Sequence, residues 1–109
     1  MRLPGGDNVR IEDRKVRSYL LSTAHPVGRF KARVFASAGF TESTIEAFIS
    51  EIRRVAAVGE IASAEDTSFG RKYTIPGTLT GPAKAVQVLT VWIEEPGQAA
   101  VRLVTVQPR

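Results

Sequence analysis

The sequence predicts an α+β fold in which N-terminal helices pack on one face of a C-terminal antiparallel β-meander. Three observations lead there. Apolar residues recur at helical spacing as far as Val58. After Gly59 the pattern changes to strand-like alternation. The strand-like segments are joined by short Pro/Gly turns, which favours antiparallel neighbours with helices gathered on one side.

The elements follow in order. Residues 1–10 read as an extended arm, because Pro4, Gly5 and Gly6 oppose a regular element. Residues 11–109 read as a single domain, as their number suggests. A first helix is expected over 11–22, with Val16, Tyr19 and Leu20 on its buried side. Ser22 to Pro26 ends it, and Pro26 starts a second helix at the position that tolerates a missing N–H. This helix runs to about Ala38, burying Phe30, Val34, Phe35 and Ala38, and Gly39 is suited to a left-handed cap. A third helix spans Thr41 to Val58, with the stripe Ile45, Phe48, Ile49, Ile52, Val55 and Ala56. Ser43 and Glu46 fit a capping box, with Thr41 as the alternative cap.

In the second half, Glu60 to Ala64 reads as a short strand, followed by a turn at Glu65–Ser68 and a strand over Phe69–Ile75. Pro76-Gly77, Gly81-Pro82 and Pro96-Gly97 are turn signals. Lys84 to Glu94 is the clearest strand. Val86, Val88 and Trp92 point one way and Leu89, Val91 and Ile93 the other, so it is expected to be central and covered on both sides. Ala100 to Val106 is the last strand, and Trp92 is expected in the core.

Composition narrows the function classes. The chain has 109 residues, no cysteine and one histidine. A disulfide framework is therefore excluded, a zinc site is not expected, and no cofactor signature is present. No apolar run reaches the length of a membrane span, and the segment MRLPGGDNVR lacks the apolar core of a secretion signal. A cytoplasmic protein without membrane contact is expected. Charge is uneven: residues 1–35 hold eight Lys/Arg against three Asp/Glu, a net of +5, whereas the remainder holds seven against eight. A basic helical half suits a polyanion or an acidic protein, although a basic surface can also be only a solvated one.

One segment concentrates chemistry, HPVGRFKAR at residues 25–33. It sets His25 at a helix start, where free N–H groups and the positive dipole end attract phosphate, and adds Arg29, Lys31 and Arg33. A lone histidine is able to act as general base near neutral pH. The same residues also read as an ordinary helix cap followed by surface charges.

Along nearly its whole length the chain resembles a bacterial family of roughly hundred-residue domains of no known function, which occur as short free-standing proteins and as C-terminal tips of polymorphic toxins. The residues that carry the resemblance are Leu20-Leu21-Ser22, His25-Pro26-Val27-Gly28, Lys31-Ala32, Gly39-Phe40, Phe69-Gly70, Lys72-Tyr73, Gly77 to Pro82, Thr90 to Ile93 and Arg102 to Thr105. Leu89 departs from the pattern, standing where relatives carry a basic residue. Val101 replaces a common proline and Gln107 a common aromatic. The toxin context implies nuclease activity. The order of elements is similar to the barnase, colicin and RelE-like ribonucleases, whose sheets hold scattered polar side chains over an RNA phosphate without a metal. On that resemblance the expected catalytic residues are His25 as base, Lys31 and Arg102 as cations, and Tyr73, Thr90 and Thr105 as hydrogen-bonding groups. Arg29 and Arg33 would contact nucleic acid. The expected partners are RNA and a small acidic antitoxin or immunity protein. The alternative is a basic binding module without catalysis.

Overall fold

The computed structural model describes residues 1–21 and 26–109, with the side chains of residues 1–18 and 30–109. Its elements are α1 (Asp13–Leu21), α2 (Pro26–Ser37), α3 (Ile45–Val58), β1 (Ser63–Thr67), β2 (Gly70–Thr80), β3 (Ala85–Glu94) and β4 (Arg102–Pro108), with a 3-10 turn at Glu42–Thr44 before α3. The four strands form one antiparallel meander in the order β1-β2-β3-β4. The fold is the α+β arrangement that periodicity predicts.

The helices bury one stripe each against one face of the sheet. Val16 from α1, Phe35 and Ala38 from α2, and Phe48, Ile52, Val55 and Ala56 from α3 join one cluster with Tyr73, Ile75, Leu79, Val86, Val88, Trp92, Leu103 and Val106. Trp92 and the side chains around it lose nearly all contact with water, and each large apolar residue buried this way contributes roughly 1.5–3 kcal/mol. Leu3 and Val9 bring the N-terminal arm into the same cluster. The arm also bridges the sheet, with Arg10 N–H donating to the Val101 carbonyl and Leu103 N–H to the Arg10 carbonyl.

Several local expectations are corrected. Phe30 is 60% exposed and does not belong to the buried stripe of α2; its place on the inward side is taken by Ala32 and the stem of Lys31. Tyr19 and Leu20 lie outside the described side chains. Helix α3 is led in by Thr41 and Thr44 in place of the Ser43/Glu46 box: Thr41 N–H donates to Thr44 Oγ1 at 2.8 Å, and that hydroxyl donates to the Gly39 carbonyl at 2.8 Å. Gly39 takes the positive φ of 95° that ends α2, as its position suggested.

The first hairpin is shifted along the chain. Ser63–Thr67 forms β1, and the tight turn is Ser68-Phe69, closed by Thr67 paired with Gly70. The turn predicted at Glu65–Ser68 is therefore mostly strand. Polar residues make β1 because pairing with β2, not burial, holds it; only Ala64 is even half-buried.

Strand β2 runs unbroken through Pro76-Gly77, which was read as a turn. Proline is tolerated there because pairing with β1 ends at Thr74, so the missing N–H faces an edge with no ladder to break. Gly77 is required for packing. A Cβ on it would sit 2.7 Å from both Val55 methyls, so its absence lets α3 lie directly on the sheet. Helix α3 also closes this free edge, where Arg54 donates to the Thr78 carbonyl at 2.6 Å and Thr80 N–H donates to Glu51 at 2.6 Å.

The second sheet face is not covered by the helices. Leu89 and Val91 are half-buried, not enclosed, and Ile93, though 8% exposed, stands outside the core cluster. Its cross-strand neighbours are Lys72 and Arg102, whose long stems flank it.

Candidate functional site

Strand β4 carries a β-bulge. Val91 pairs with Thr105 but Trp92 pairs with Leu103, so Val104 is the extra residue in the register of β4 against β3. Such an insertion reverses the facing of everything after it. Leu103 and Val106 are both in the core, three positions apart instead of two, and Thr105 is turned to the uncovered face beside Val91.

Helix α2 brings a lysine to that hydroxyl. Lys31 stands four residues before Phe35 and seven before Ala38, hence on the buried side of the helix. It is half-buried, and its Nζ donates to Thr105 Oγ1 at 3.1 Å. Burial holds its ammonium below the usual lysine range, because the charged form is the one that desolvation penalises. Two of the residues predicted from sequence thus meet directly.

The others are distributed. Arg102 shares the uncovered face with Thr105, and its Nε donates to Glu95 at 3.0 Å. That bond keeps the Glu95 carboxyl below the usual carboxylate range. Lys72 lies in the same cross-strand row, paired to Glu65 at 3.2 Å. Two of the cations on this face are therefore already balanced by carboxylates. Arg33 is exposed on α2.

Tyr73 and Thr90 belong to the core face. Tyr73 is 3% exposed and its hydroxyl donates to Glu94 at 3.1 Å. Burial first, and then the Glu94 carboxylate, push the phenol up. Thr90 is fully buried; its hydroxyl donates to the Ile75 carbonyl and accepts the indole N–H of Trp92, both at 2.8 Å. The structure gives Thr90 an internal task, holding a tryptophan in place between two strands. His25 and the Arg29 side chain lie outside the described residues.

One residue that sequence reasoning missed is Lys15 of α1. It is half-buried and donates to the Val104 carbonyl at 3.0 Å, one residue from the Lys31 contact. Its only signal in the sequence is a basic residue beside the buried Val16. A shallow cleft of about 160 Å³ lies elsewhere, between Pro4, Asn8, Glu94, Gln98 and Val101, and none of the expected site residues lines it. Among the described residues, no group of three or more His, Cys, Asp or Glu is placed to hold a metal, and no helix is long and apolar enough to cross a membrane.

Comparison with known proteins agrees with this architecture. One solved chain, from the "Contact-dependent growth inhibition toxin - immunity protein complex from Klebsiella pneumoniae 342", superposes with a TM-score of 0.77 at 14% identity, covering 91% of this chain and 98% of that one. At that identity the likeness is one of fold. No curated protein matches the chain. Residues 2–109 match the family described as Domain of unknown function (DUF6883), and the chain, matched along nearly its whole length, belongs to that family.

Proposed function

We propose that this domain is a toxin-type endoribonuclease that cleaves RNA by attack of a ribose 2′-hydroxyl on the adjacent phosphorus. The observation that carries the reading is the Lys31–Thr105 pair, a lysine in a buried-stripe position directed onto a hydroxyl that a β-bulge has turned outward. A lysine there is unfavourable for packing and useful for chemistry, the kind of local conflict that marks functional positions. In the proposed reaction His25, at the start of the helix that carries Lys31, removes the 2′-hydroxyl proton. The 2′-oxygen then bonds to phosphorus as the bond from phosphorus to the 5′-oxygen breaks, and the leaving 5′-oxygen takes a proton from water. Lys31 stabilises charge growing on the phosphoryl oxygens, and Thr105 orients the lysine or the phosphate. Arg102 would lend its charge from the same sheet face. Tyr73 and Thr90 support the site from the core. Exposed Arg33, and Arg29 on the same helix, would guide the RNA strand.

The test uses purified protein and RNA in the presence of a chelator. Products ending in a 2′,3′-cyclic phosphate are expected, and His25→Ala should lower the rate about 10²–10⁴-fold with folding intact. Absence of cleavage by the native protein sinks the reading. A cytoplasmic RNA substrate fits this chemistry.

A second reading is favoured by the neighbouring fold, whose solved form is a complex of toxin and immunity protein. In it the basic helices hold a small acidic protein, with or without catalysis. Tight binding of such a partner by a protein that leaves RNA uncut would establish it.

A further inference from the structure

We propose that Phe30 is a stacking platform for an unpaired base of single-stranded RNA, with Arg33 one helical turn along to hold the adjoining phosphate. This rests on the ribonuclease reading for its ligand and adds a base subsite to it.

Phe30 is turned away from the core. Ala32 and Phe35 mark the buried side of α2, and Phe30 stands two and five residues before them, far round the helix from both. Its ring is 60% exposed. Arg33 follows three residues later on the same side and is also exposed. An aromatic face and a guanidinium thus share one open face of the helix that carries Lys31.

A single exposed aromatic is ordinary. Phe69 is such a case: it is 76% exposed in the first hairpin turn, and its basic neighbours Arg71 and Lys72 are paired with Asp66 and Glu65. The charge around Phe30 differs. Helix α2 contains Arg29, Lys31 and Arg33 and no Asp or Glu. Among the described residues no carboxylate is paired with Arg33. An acidic protein surface would meet the cation and leave the ring uncovered. A nucleotide covers both, because each one presents a flat base beside its phosphate. The strand is single, since the bases of a duplex are stacked on one another and closed to an outside ring.

The test separates the base from the backbone. One fluorescent strand is 2′-O-methyl RNA, which has no free 2′-hydroxyl to attack, so the native protein binds it without cutting. A second strand has the same length and phosphates but abasic positions. Binding is followed by anisotropy. Phe30→Ala should weaken binding of the first strand about tenfold, the loss of one base stack, and leave the abasic strand unchanged. Phe30→Leu keeps apolar bulk without an aromatic face and should bind like Phe30→Ala. Phe30→Trp should bind at least as well as the native protein, with the emission of the added indole quenched by the strand. Arg33→Gln should weaken binding of both strands and reduce the slope of log K against log salt by about 0.7, the share of one phosphate contact on a single strand. Melting temperatures should stay near native, since both side chains are exposed.

Unchanged binding in Phe30→Ala, an equal loss with both strands, or native-like binding by Phe30→Leu would overturn the stack. An unchanged salt slope in Arg33→Gln would overturn the phosphate contact. A native protein that binds neither strand overturns the whole subsite. Cleavage of ordinary RNA, measured separately, decides the ribonuclease reading on its own. Cutting with no effect of Phe30 on binding keeps that reading and removes the stack. Phe30-dependent binding by a protein that does not cut keeps the stack and removes the catalytic reading.

Discussion

Lys31 Nζ meets Thr105 Oγ1 at 3.1 Å across 74 residues of sequence, joining the helix that follows His25 to the edge strand of the sheet. The lysine is on the buried side of α2 because Phe35 and Ala38 follow it at helical spacing, and the threonine faces outward because of the bulge at Val104. Both placements are set by packing, the one of α2 and the other of β4.

Replacing Lys31 should therefore separate activity from stability. Lys31→Met keeps the stem and removes the buried charge. It should raise stability by about 0.5–2 kcal/mol, the usual gain when a functional conflict is relieved. RNA cleavage should fall about 10²–10³-fold, as for loss of one group stabilising developing charge. Denaturant titration and single-turnover cleavage measure the two effects. A destabilised Lys31→Met protein would show that the lysine is there for packing.

Thr90 leads to the opposite expectation. In Thr90→Val the indole N–H of Trp92 loses its buried acceptor, at a cost of about 1–3 kcal/mol. Trp92 is the one tryptophan in the chain, so its fluorescence reports the unfolding directly. Cleavage per folded molecule should change little. A stable variant with a large loss of rate would move Thr90 from the core task to the chemistry.

Gly77 tests the close approach of α3. A methyl there meets both Val55 methyls, and Gly77→Ala should destabilise by about 1–3 kcal/mol through overpacking. Adding Val55→Ala should recover part of the loss, a coupling that only residues in contact display. Additive losses in the double variant would contradict the packing.

The Glu51 carboxylate gives a pH dependence. Its bond with Arg54 is the largest cause holding it below the usual glutamate range; burial opposes this, while the Thr80 N–H and the charge of Arg54 add to it. A depressed carboxyl stabilises the fold above its unfolded value, roughly pH 4.3, and that contribution disappears as pH falls through the lower folded value. The stability advantage of the native protein over Glu51→Gln should be present at neutral pH and vanish in acid. Unfolding curves at several pH values would reveal it, and an advantage that persists in acid would rule out this linkage.

Much of the fold was legible because its determinants are local. The stripe of α3, the start of α2 at Pro26 and the alternation of β3 each depend on residues a few positions apart. So did the presence of a basic, polar-rich segment at 25–33. Lys31, Thr105 and Arg102 could be nominated, but nothing local distinguished them from Thr90, whose hydroxyl is enclosed by strand neighbours and Trp92.

The sequence by itself determined which segments are helical, where alternation begins and that the basic charge gathers in the first half. Tertiary structure decided the rest, because cross-strand pairing overrides local preference. Partners on β3 draw Pro76-Gly77 into a strand, β2 gives the polar residues of β1 a ladder, and Val55 fills the space left by Gly77. The bulge at Val104 is the decisive case. It exists because Leu103 and Val106 both enter the core, and only their packing turns Thr105 outward to meet Lys31.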